Sequence, residues 1–343
     1  MAPLVTALLI ACLIPPIASA HHAAGAVYDM ANISEVAGEV VAISWRNPHI
    51  HMTLRVAGQG VNEQGSDVEW NLEAGAINTV SRMGVTTDDI HVGDEIRVAG
   101  HLARDGQLSM FVSNALTADG RELFLLPASP RRWPAEALGT SEITAAAAAE
   151  AELQADGLFR VWTRLLSVPP LREATLTAKA EAGKSQWDPV ADNPTLRCER
   201  PGMIEAMVTP SPIALVRDGE NVIIQMEEFD QTRTVHMVDL IDLENVDPAS
   251  VDASPLGYST GVWDSDDLVV NTSRINWPYS DDEGTPQSEA VTIVERFSMH
   301  ADGMHMTWEG RVTDAENLVG TALIREEYVW VPGEQIKRYD CAL

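Results

Sequence analysis

Apolar and polar residues alternate along residues 34–125 in the manner of a small β-barrel. The alternation predicts strands over Val36–Trp45, His49–Ala57, Val68–Ala74, Asp94–Gly100 and Leu108–Leu116. Between the third and fourth strands, the pattern over Ala76–Met83 favours a short helix. Five strands with a helix between the third and fourth are the order of an OB fold. We therefore expect an OB-like five-stranded barrel over residues 21–126.

A second β-rich region begins at residue 158. Its predicted strands are Leu158–Trp162, Pro212–Arg217, Asn221–Glu228, Thr232–Val238, Gly261–Asn271, Ala290–His300, His305–Val312 and Ala322–Val331. Turn pairs such as Asp218-Gly219 and Asp302-Gly303 separate some of them, which is typical of antiparallel hairpins. We expect a mainly all-β chain whose residues 158–343 form an antiparallel calycin/lipocalin-like barrel.

Residues 127–157 are predicted to connect the two barrels. Pro127–Pro134 holds three prolines, which favour an irregular connector. The alanine-rich segment Thr144–Gln154 predicts a short linking helix, which Asp156-Gly157 would end.

Residues 1–20 have the pattern of a cleaved signal peptide. Leu4–Ile14 is apolar but too short to span a bilayer, and Ala18 and Ala20 satisfy the small-residue rule for cleavage. We expect a periplasmic or secreted protein without stable membrane insertion after cleavage. Leu9–Cys12 also resembles a lipoprotein box, which would place a lipid on Cys12 and leave the residues after Ala20 internal. Both alternatives stand at this point.

The charge of the chain argues against one class of partner. Asp and Glu number 51 against 23 Lys and Arg, a formal net charge of −28. Such a surface repels phosphate backbones, so we expect no nucleic-acid partner.

Cysteine usage favours an oxidising compartment. With the leader removed, only Cys198 and Cys341 remain of the three cysteines. An even pair in an exported protein is typical of a disulfide, so we expect these two residues to be bridged.

Histidines supply the strongest candidate chemistry. Cleavage after residue 20 would expose His21-His22, and an N-terminal histidine offers a metal both its α-amine and an imidazole nitrogen. His49 and His51 lie two apart on a predicted strand and so share a face at the barrel rim. We expect His21 and His49 as ligands, His51 or His22 as a fourth, and His101 as a distant candidate. Nitrogen ligands favour copper, with zinc less favoured. The alternative is that these histidines are structural or bind nothing.

Aromatic residues of the second barrel predict a small-molecule site, because pockets usually combine aromatic walls with a few polar groups. The candidates for its lining are Tyr258, Trp263, Trp277, Arg296, Trp308 and His236. The alternative is that they are core residues or cross-strand pairs. No spacing fixes an acid/base set, and the common hydrolase, phosphate-loop and zinc-protease motifs are absent from the sequence, so we assign no catalytic residues.

The first region resembles a family of exported bacterial proteins of unknown function. The residues that carry the likeness are His21-His22, Ser44–His49, Trp70–Glu73 and Val92–Ile96, over roughly residues 20–126. In that family the mature chain opens with His-His and carries an Asn-Pro-His turn. The resemblance implies that the two motifs belong together, and it supplies no activity.

The second region is similar to a pattern in exported bacterial proteins with lipocalin-like β domains. The matching residues are Gly257–Trp263, Asp267–Thr272 and Val294–Phe297. In that pattern a histidine commonly stands where this chain has Tyr258. The likeness implies a fold more than a function.

Together these features predict a periplasmic small-molecule-binding protein with an N-terminal copper-type histidine site. The second barrel would hold an apolar small molecule. The alternative is a cofactor-independent or metal-assisted enzyme, a lyase, isomerase or hydrolase, that acts on such a molecule in the same barrel.

Overall fold

The computed structural model describes residues 23–58, 66–127, 129–137, 143–165, 171, 174–239 and 250–342. The predicted signal peptide with Cys12, and the histidines His21 and His22, lie outside these residues. The described chain forms two closed β-barrels, which confirms the mainly all-β expectation. Within these ranges, no helix is long and apolar enough to cross a membrane.

The first barrel has the strand order of an OB fold. After a short helix α1 (Ala23–Val27), its elements are β1 (Ser34–Ser44), β2 (His51–Val56), β3 (Val68–Glu73), α2 (Ile77–Arg82), β4 (Glu95–Leu102) and β5 (Ser109–Thr117). The order is β3-β2-β1-β4-β5, and a parallel pairing of β3 with β5 closes it. The short strands β6 (Arg121–Phe124) and β7 (Glu136–Ala137), which the pattern did not predict, extend the sheet beyond β5.

Along the strands of the first barrel, apolar residues at alternate positions point into the core. Val40, Leu54, Leu72 and Val98 are at most 1% exposed. Strand β4 is bulged just before Gly100, where a Cβ atom would collide with the carbonyl oxygen of the neighbouring strand β5. Glycine at this position therefore lets the two backbones approach as the sheet curves.

The helix α3 (Ala145–Leu153) lies within the predicted connector. Thr144 caps it, because its Oγ1 accepts a hydrogen bond from the Ala147 amide at 3.2 Å. The expected linking helix is therefore present.

The second barrel contains nine strands. Its elements are β8 (Val161–Arg164), α4 (Ala178–Lys184), β9 (Ile213–Asp218), β10 (Asn221–Met226), β11 (Gln231–Met237), β12 (Tyr258–Asp264), β13 (Asp267–Ser273), β14 (Thr292–Met299), β15 (His305–Thr313) and β16 (Thr321–Trp330). Short 3₁₀ turns occupy Pro194–Arg197, Glu205–Met207 and Glu228–Asp230. The closed order is β10-β11-β12-β13-β14-β15-β16-β8-β9. All neighbours pair antiparallel except β11 with β12, which run parallel.

One predicted strand of this barrel was wrong. Gly261–Asn271 is not a single strand, because the chain reverses between Asp264 and Asp267. Ser265 takes a left-handed conformation with φ of 58° at this turn. The turn carries no glycine to mark it, although the polar run Asp264–Asp267 interrupts the apolar pattern there.

The expected disulfide is present. Cys198 and Cys341 are bonded across a sequence separation of 143 residues. Cys341 also forms an isolated parallel bridge with Asn47, and the Ala342 amide donates to the Asn47 carbonyl oxygen at 3.1 Å. The disulfide and this β-bridge together thus connect Cys198 of the second barrel to the Asn-Pro-His turn of the first barrel.

A buried ion pair occupies the interior of the second barrel. Arg233 of β11 donates to both carboxylate oxygens of Glu295 of β14, at 2.8 and 2.5 Å. Ser259, Thr272 and Trp308 complete the network, with Trp308 Nε1 donating to Glu295 at 3.1 Å. Arg233 and Glu295 are at most 2% exposed. Arg233 and Glu295 therefore neutralise each other inside the barrel, and neighbouring polar groups complete their hydrogen bonds.

Breaking this pair is expected to destabilise the protein. Arg233→Met leaves the Glu295 charge buried and uncompensated, which costs about 3–5 kcal/mol of unfolding free energy, measurable by urea denaturation. The double variant Arg233→Met with Glu295→Leu should recover much of this loss. As a control, Arg325→Met breaks an exposed pair with Glu327 and should cost under about 1 kcal/mol. Equal losses for the two single variants would contradict the assignment.

Candidate functional site

The rim of the first barrel brings His49 against a carboxylate. His49 lies in the turn between β1 and β2, after a cis Asn47–Pro48 bond, and its Nδ1 contacts Oε1 of Glu73 at the end of β3. The Tyr28 hydroxyl donates to the other oxygen, Oε2, at 2.8 Å. The ring of Phe111 stacks on Tyr28 at 5.5 Å and meets His49 edge-on at 6.1 Å. The Glu73 carboxylate and the Phe111 ring thus each contact both His49 and Tyr28.

Electrostatics favour an ionised Glu73. Burial alone would raise the pKa of this carboxyl, but the hydrogen bonds and charge of His49 together with the hydrogen bond of Tyr28 lower it below its ordinary value of 4.5. A carboxylate acceptor fixes the His49 proton on Nδ1. The remaining ring nitrogen, Nε2, is then the one that suits a metal, as in carboxylate–histidine–metal arrangements.

The other strand histidine lies beside this pair. His51 begins β2 directly opposite Glu73 in the strand register, and its charge interacts with both Glu73 and His49. His51 itself is exposed. The structure places His51 on β2 and His49 in the turn before it, so the two histidines do not share a strand face, contrary to the expectation. The electrostatic interaction of His51 with Glu73 and His49 places them near one another at the same rim.

The distant candidate His101 has a different environment. Its Nδ1 lies 2.9 Å from the carbonyl oxygen of Asn32 and 3.2 Å from that of Asp29. The side chain is buried, at 9% exposure. It therefore fastens the segment that follows Tyr28 to β4.

No group of three or more His, Cys, Asp or Glu side chains could hold a metal among the residues that the structure describes. The predicted ligand set needs His21, which lies outside them. Of the four predicted metal ligands, His49 and His51 are therefore the two that the described part of the chain contains.

A buried carboxylate joins the rim to the second barrel. Glu227, which follows β10, is fully buried and accepts hydrogen bonds from Arg82 Nη1 and Nη2 at 2.7 and 2.5 Å. It also accepts from Asn78 Nδ2 at 3.1 Å and from the Lys337 backbone amide at 2.7 Å. Arg82 and Asn78 belong to α2 of the first barrel. This junction fixes α2, and with it the adjoining rim, against the second barrel.

Two further acidic groups lie at the junction. Burial raises the pKa of Glu228 from 4.5 to about 7, partly offset by a hydrogen bond from Ser211 and by the charge of His49. Burial, reinforced by the charges of Asp282 and Glu228, raises the pKa of Glu205 from 4.5 to about 8. Carboxyls in this range exchange protons near neutral pH, which is a property of general acids and bases.

Backbone conformation at the junction is unusual. Phe229 and Asp230, directly after Glu228, take left-handed φ angles of 59° and 49°. Such angles in residues other than glycine cost free energy and persist only where surrounding contacts hold them. Here the Tyr339 ring packs on Phe229 at 5.1 Å, and its amide donates to Asp230 at 2.9 Å.

The raised pKa of Glu205 gives a pH-dependent prediction. Between pH 4.5 and about 8 the unfolded chain has released a proton that the folded protein retains, so stability falls as pH rises. Glu205→Gln removes this dependence. The variant should gain stability over the native protein, on the order of a few kcal/mol, between about pH 5 and pH 8 in urea denaturation.

The matched control for this experiment is Glu289→Gln at an exposed carboxyl, which should show no such gain. If the Glu205→Gln variant and the native protein lose stability in parallel as pH rises, Glu205 does not retain its proton in the folded state.

The residues predicted to line a small-molecule pocket lie in different surroundings. Trp308 is fully buried in the barrel interior, within the Arg233–Glu295 network. Trp277 lies beside Glu205 at the junction. These two side chains therefore contact carboxyl groups in two separate networks.

The other four predicted lining residues form local contacts. His236 stacks on Tyr258 at 4.9 Å across the parallel pair of β11 and β12. Trp263 is 41% exposed and lies 5.8 Å from the ring of Phe159. Arg296 pairs with the two aspartates that bound the β12–β13 turn, at 2.7 and 2.6 Å. Their role in ligand binding stays a prediction.

Sequence reasoning missed three residues of these sites. Tyr28 and Glu73 are distant from His49 along the chain; the β2–β3 register places Glu73 opposite His51, and the fold brings His49 and Tyr28 onto its carboxylate. Glu205 carried a usable signal, because it is a lone acid within the apolar run Met203–Val208. An acid in such a run is either paired or has a shifted pKa.

The fold and rim define a protein with an OB-like barrel followed by a nine-stranded barrel. Residues 9–111 match the model of a family of unknown function, DUF6152. The match confirms a resemblance of the first region to a family of unknown function and assigns no activity. No curated protein matches the chain.

Proposed function

We propose that this chain is an exported, periplasmic or secreted protein that binds copper at the rim of its first barrel. The observation that carries the proposal is the contact between Glu73 and Nδ1 of His49. Histidines that bind metals usually donate their second ring nitrogen to a carboxylate, which fixes the ring and makes it a better ligand. The Cys198–Cys341 disulfide supports export, since such bonds form in oxidising compartments.

The proposed ligands are nitrogen atoms. His21 would supply its α-amine and an imidazole nitrogen after cleavage, and His49 would supply Nε2. His51 or His22 would complete the set. Nitrogen donors without carboxylate in the first coordination shell favour copper over calcium or magnesium, with zinc as the weaker choice.

The anchoring of Tyr28 supports the approach of the N-terminus. Tyr28 is held on Glu73, the same carboxylate that orients His49. His21 precedes Tyr28 by seven residues. Because Ala23–Val27 of this segment is helical, its seven residues span up to about 14 Å, so a chain beginning at His21 stays within reach of side chains around the Glu73 carboxylate.

The proposal is tested on exported, processed protein whose first residue is verified as His21 by intact mass. Copper(II) binding is measured by calorimetry, and nitrogen ligation by electron paramagnetic resonance. His49→Ala should remove one of the proposed nitrogen ligands, so the resonance signal should change and the copper affinity should fall. Glu73→Gln, which keeps the side-chain shape but removes the charge, should weaken affinity by about 10- to 100-fold.

Two controls separate the site from unspecific binding. His91→Ala changes an exposed histidine whose Nδ1 also lies near a carboxylate, Asp94 at 3.7 Å, and should leave copper affinity unchanged. One extra alanine placed before His21 removes the amine chelate and should lower affinity as His49→Ala does. Copper binding that is indifferent to both His49→Ala and the added alanine would refute the proposal.

A further inference from the structure

The second barrel carries a groove on its outer surface. The groove has a volume of about 450 Å³ and lies where the segment before β8 meets β9 and the chain beyond β16. Its lining includes Phe159, Arg160, Leu215, Arg217, Gln335 and Ile336. A volume of this size suits a small organic molecule.

Arg160 lines this groove, and its guanidinium packs against residues beside the lining. Its guanidinium carbon lies 4.1 Å from the ring centroid of Trp330, and its Nη1 donates to the Gly303 carbonyl oxygen at 2.6 Å. Its Nε is buried and has no hydrogen-bond partner within the described ranges. No carboxylate forms an ion pair with Arg160 in the described part of the chain, although 51 acidic residues are present. The buried Nε cannot meet a ligand, but the two Nη groups carry four of the five N–H donors of a guanidinium, more than the bond to Gly303 uses in the described chain.

The second arginine of the groove is already neutralised. Arg217 donates from Nε and Nη2 to the Asp156 carboxylate at 3.1 and 3.0 Å, and it lies 3.7 Å from the ring of Phe159. The same Asp156 acts on Arg160 only electrostatically. The groove therefore offers one uncompensated cation beside an apolar wall.

We propose that this groove binds a small organic monoanion with a flat apolar body, such as an aromatic carboxylate. Its carboxylate would pair with Arg160, because a guanidinium fork matches carboxylate geometry. Its ring would lie against Phe159 and Ile336. A single negative charge fits the single uncompensated cation, and a net charge of −28 disfavours more highly charged ligands.

The test compares 2-naphthoate with its neutral counterpart, 2-naphthamide, at an ionic strength of about 0.15 M, where long-range repulsion is screened beyond about 8 Å. Affinities are measured by calorimetry on the native protein and on Arg160→Gln. Native protein should bind naphthoate, and Arg160→Gln should weaken that binding at least about tenfold. The weak affinity for the neutral amide should not change.

Arg311→Gln is the matched control, because it removes an exposed arginine that is paired with Glu309 at 3.1 Å on β15. It should bind naphthoate like the native protein. If Arg160→Gln does not fold, Arg160→Lys keeps the charge, loses the planar fork and should bind naphthoate more weakly than the native protein. Absence of naphthoate binding at millimolar concentration, or equal affinity in the native protein and the folded Arg160 variant, would overturn the proposal. Neither result depends on copper.

Discussion

The contact between Arg82 and the buried Glu227 carboxylate is the interaction on which the arrangement of the two barrels depends. It joins α2 of the first barrel to the end of β10 in the second, and the same carboxylate binds the Lys337 amide of the C-terminal segment. A fully buried carboxylate is costly to desolvate, so it persists only with hydrogen bonds to both of its oxygens. Glu227 accepts such bonds from groups of both barrels, so its hydrogen bonds are complete only when the two barrels are in contact.

This junction explains why the rim chemistry and the junction acids interact. α2 follows β3, whose last residue is Glu73, so fixing α2 also fixes the carboxylate that orients His49. On the other side of the junction, Glu228 directly follows Glu227, and the charge of His49 lowers the pKa of Glu228, which partly offsets the effect of burial. The proposed metal site and the carboxyls with raised pKa, Glu205 and Glu228, thus lie on the same Arg82–Glu227 junction but use different side chains.

The sequence predicted those features that depend on local periodicity. The OB strand order, the α2 position and the linking helix follow from alternation and spacing, and the disulfide from cysteine number. The hairpin at Ser265 was missed because its turn has no glycine, although the polar run Asp264–Asp267 carried a usable turn signal. His49 was recognised, but its partner Glu73 was not, since their contact depends on how the turn before β2 folds over the end of β3. The groove at Arg160 joins segments distant in sequence, and no pattern within one segment could indicate it.

The disulfide has a consequence for how the rim matures. Cys341 forms a backbone β-bridge with Asn47, two residues before His49, and a disulfide with Cys198 of the second barrel. Without the disulfide, Cys341 would lose its covalent tie to Cys198, and the C-terminal segment that contacts Asn47 would be held to the second barrel by noncovalent contacts alone. If the chain is exported as proposed, the disulfide would fix the C-terminal segment beside Asn47 in the compartment where signal-peptide cleavage would expose His21. Under that proposal, disulfide formation and cleavage would both act on the same rim of the first barrel.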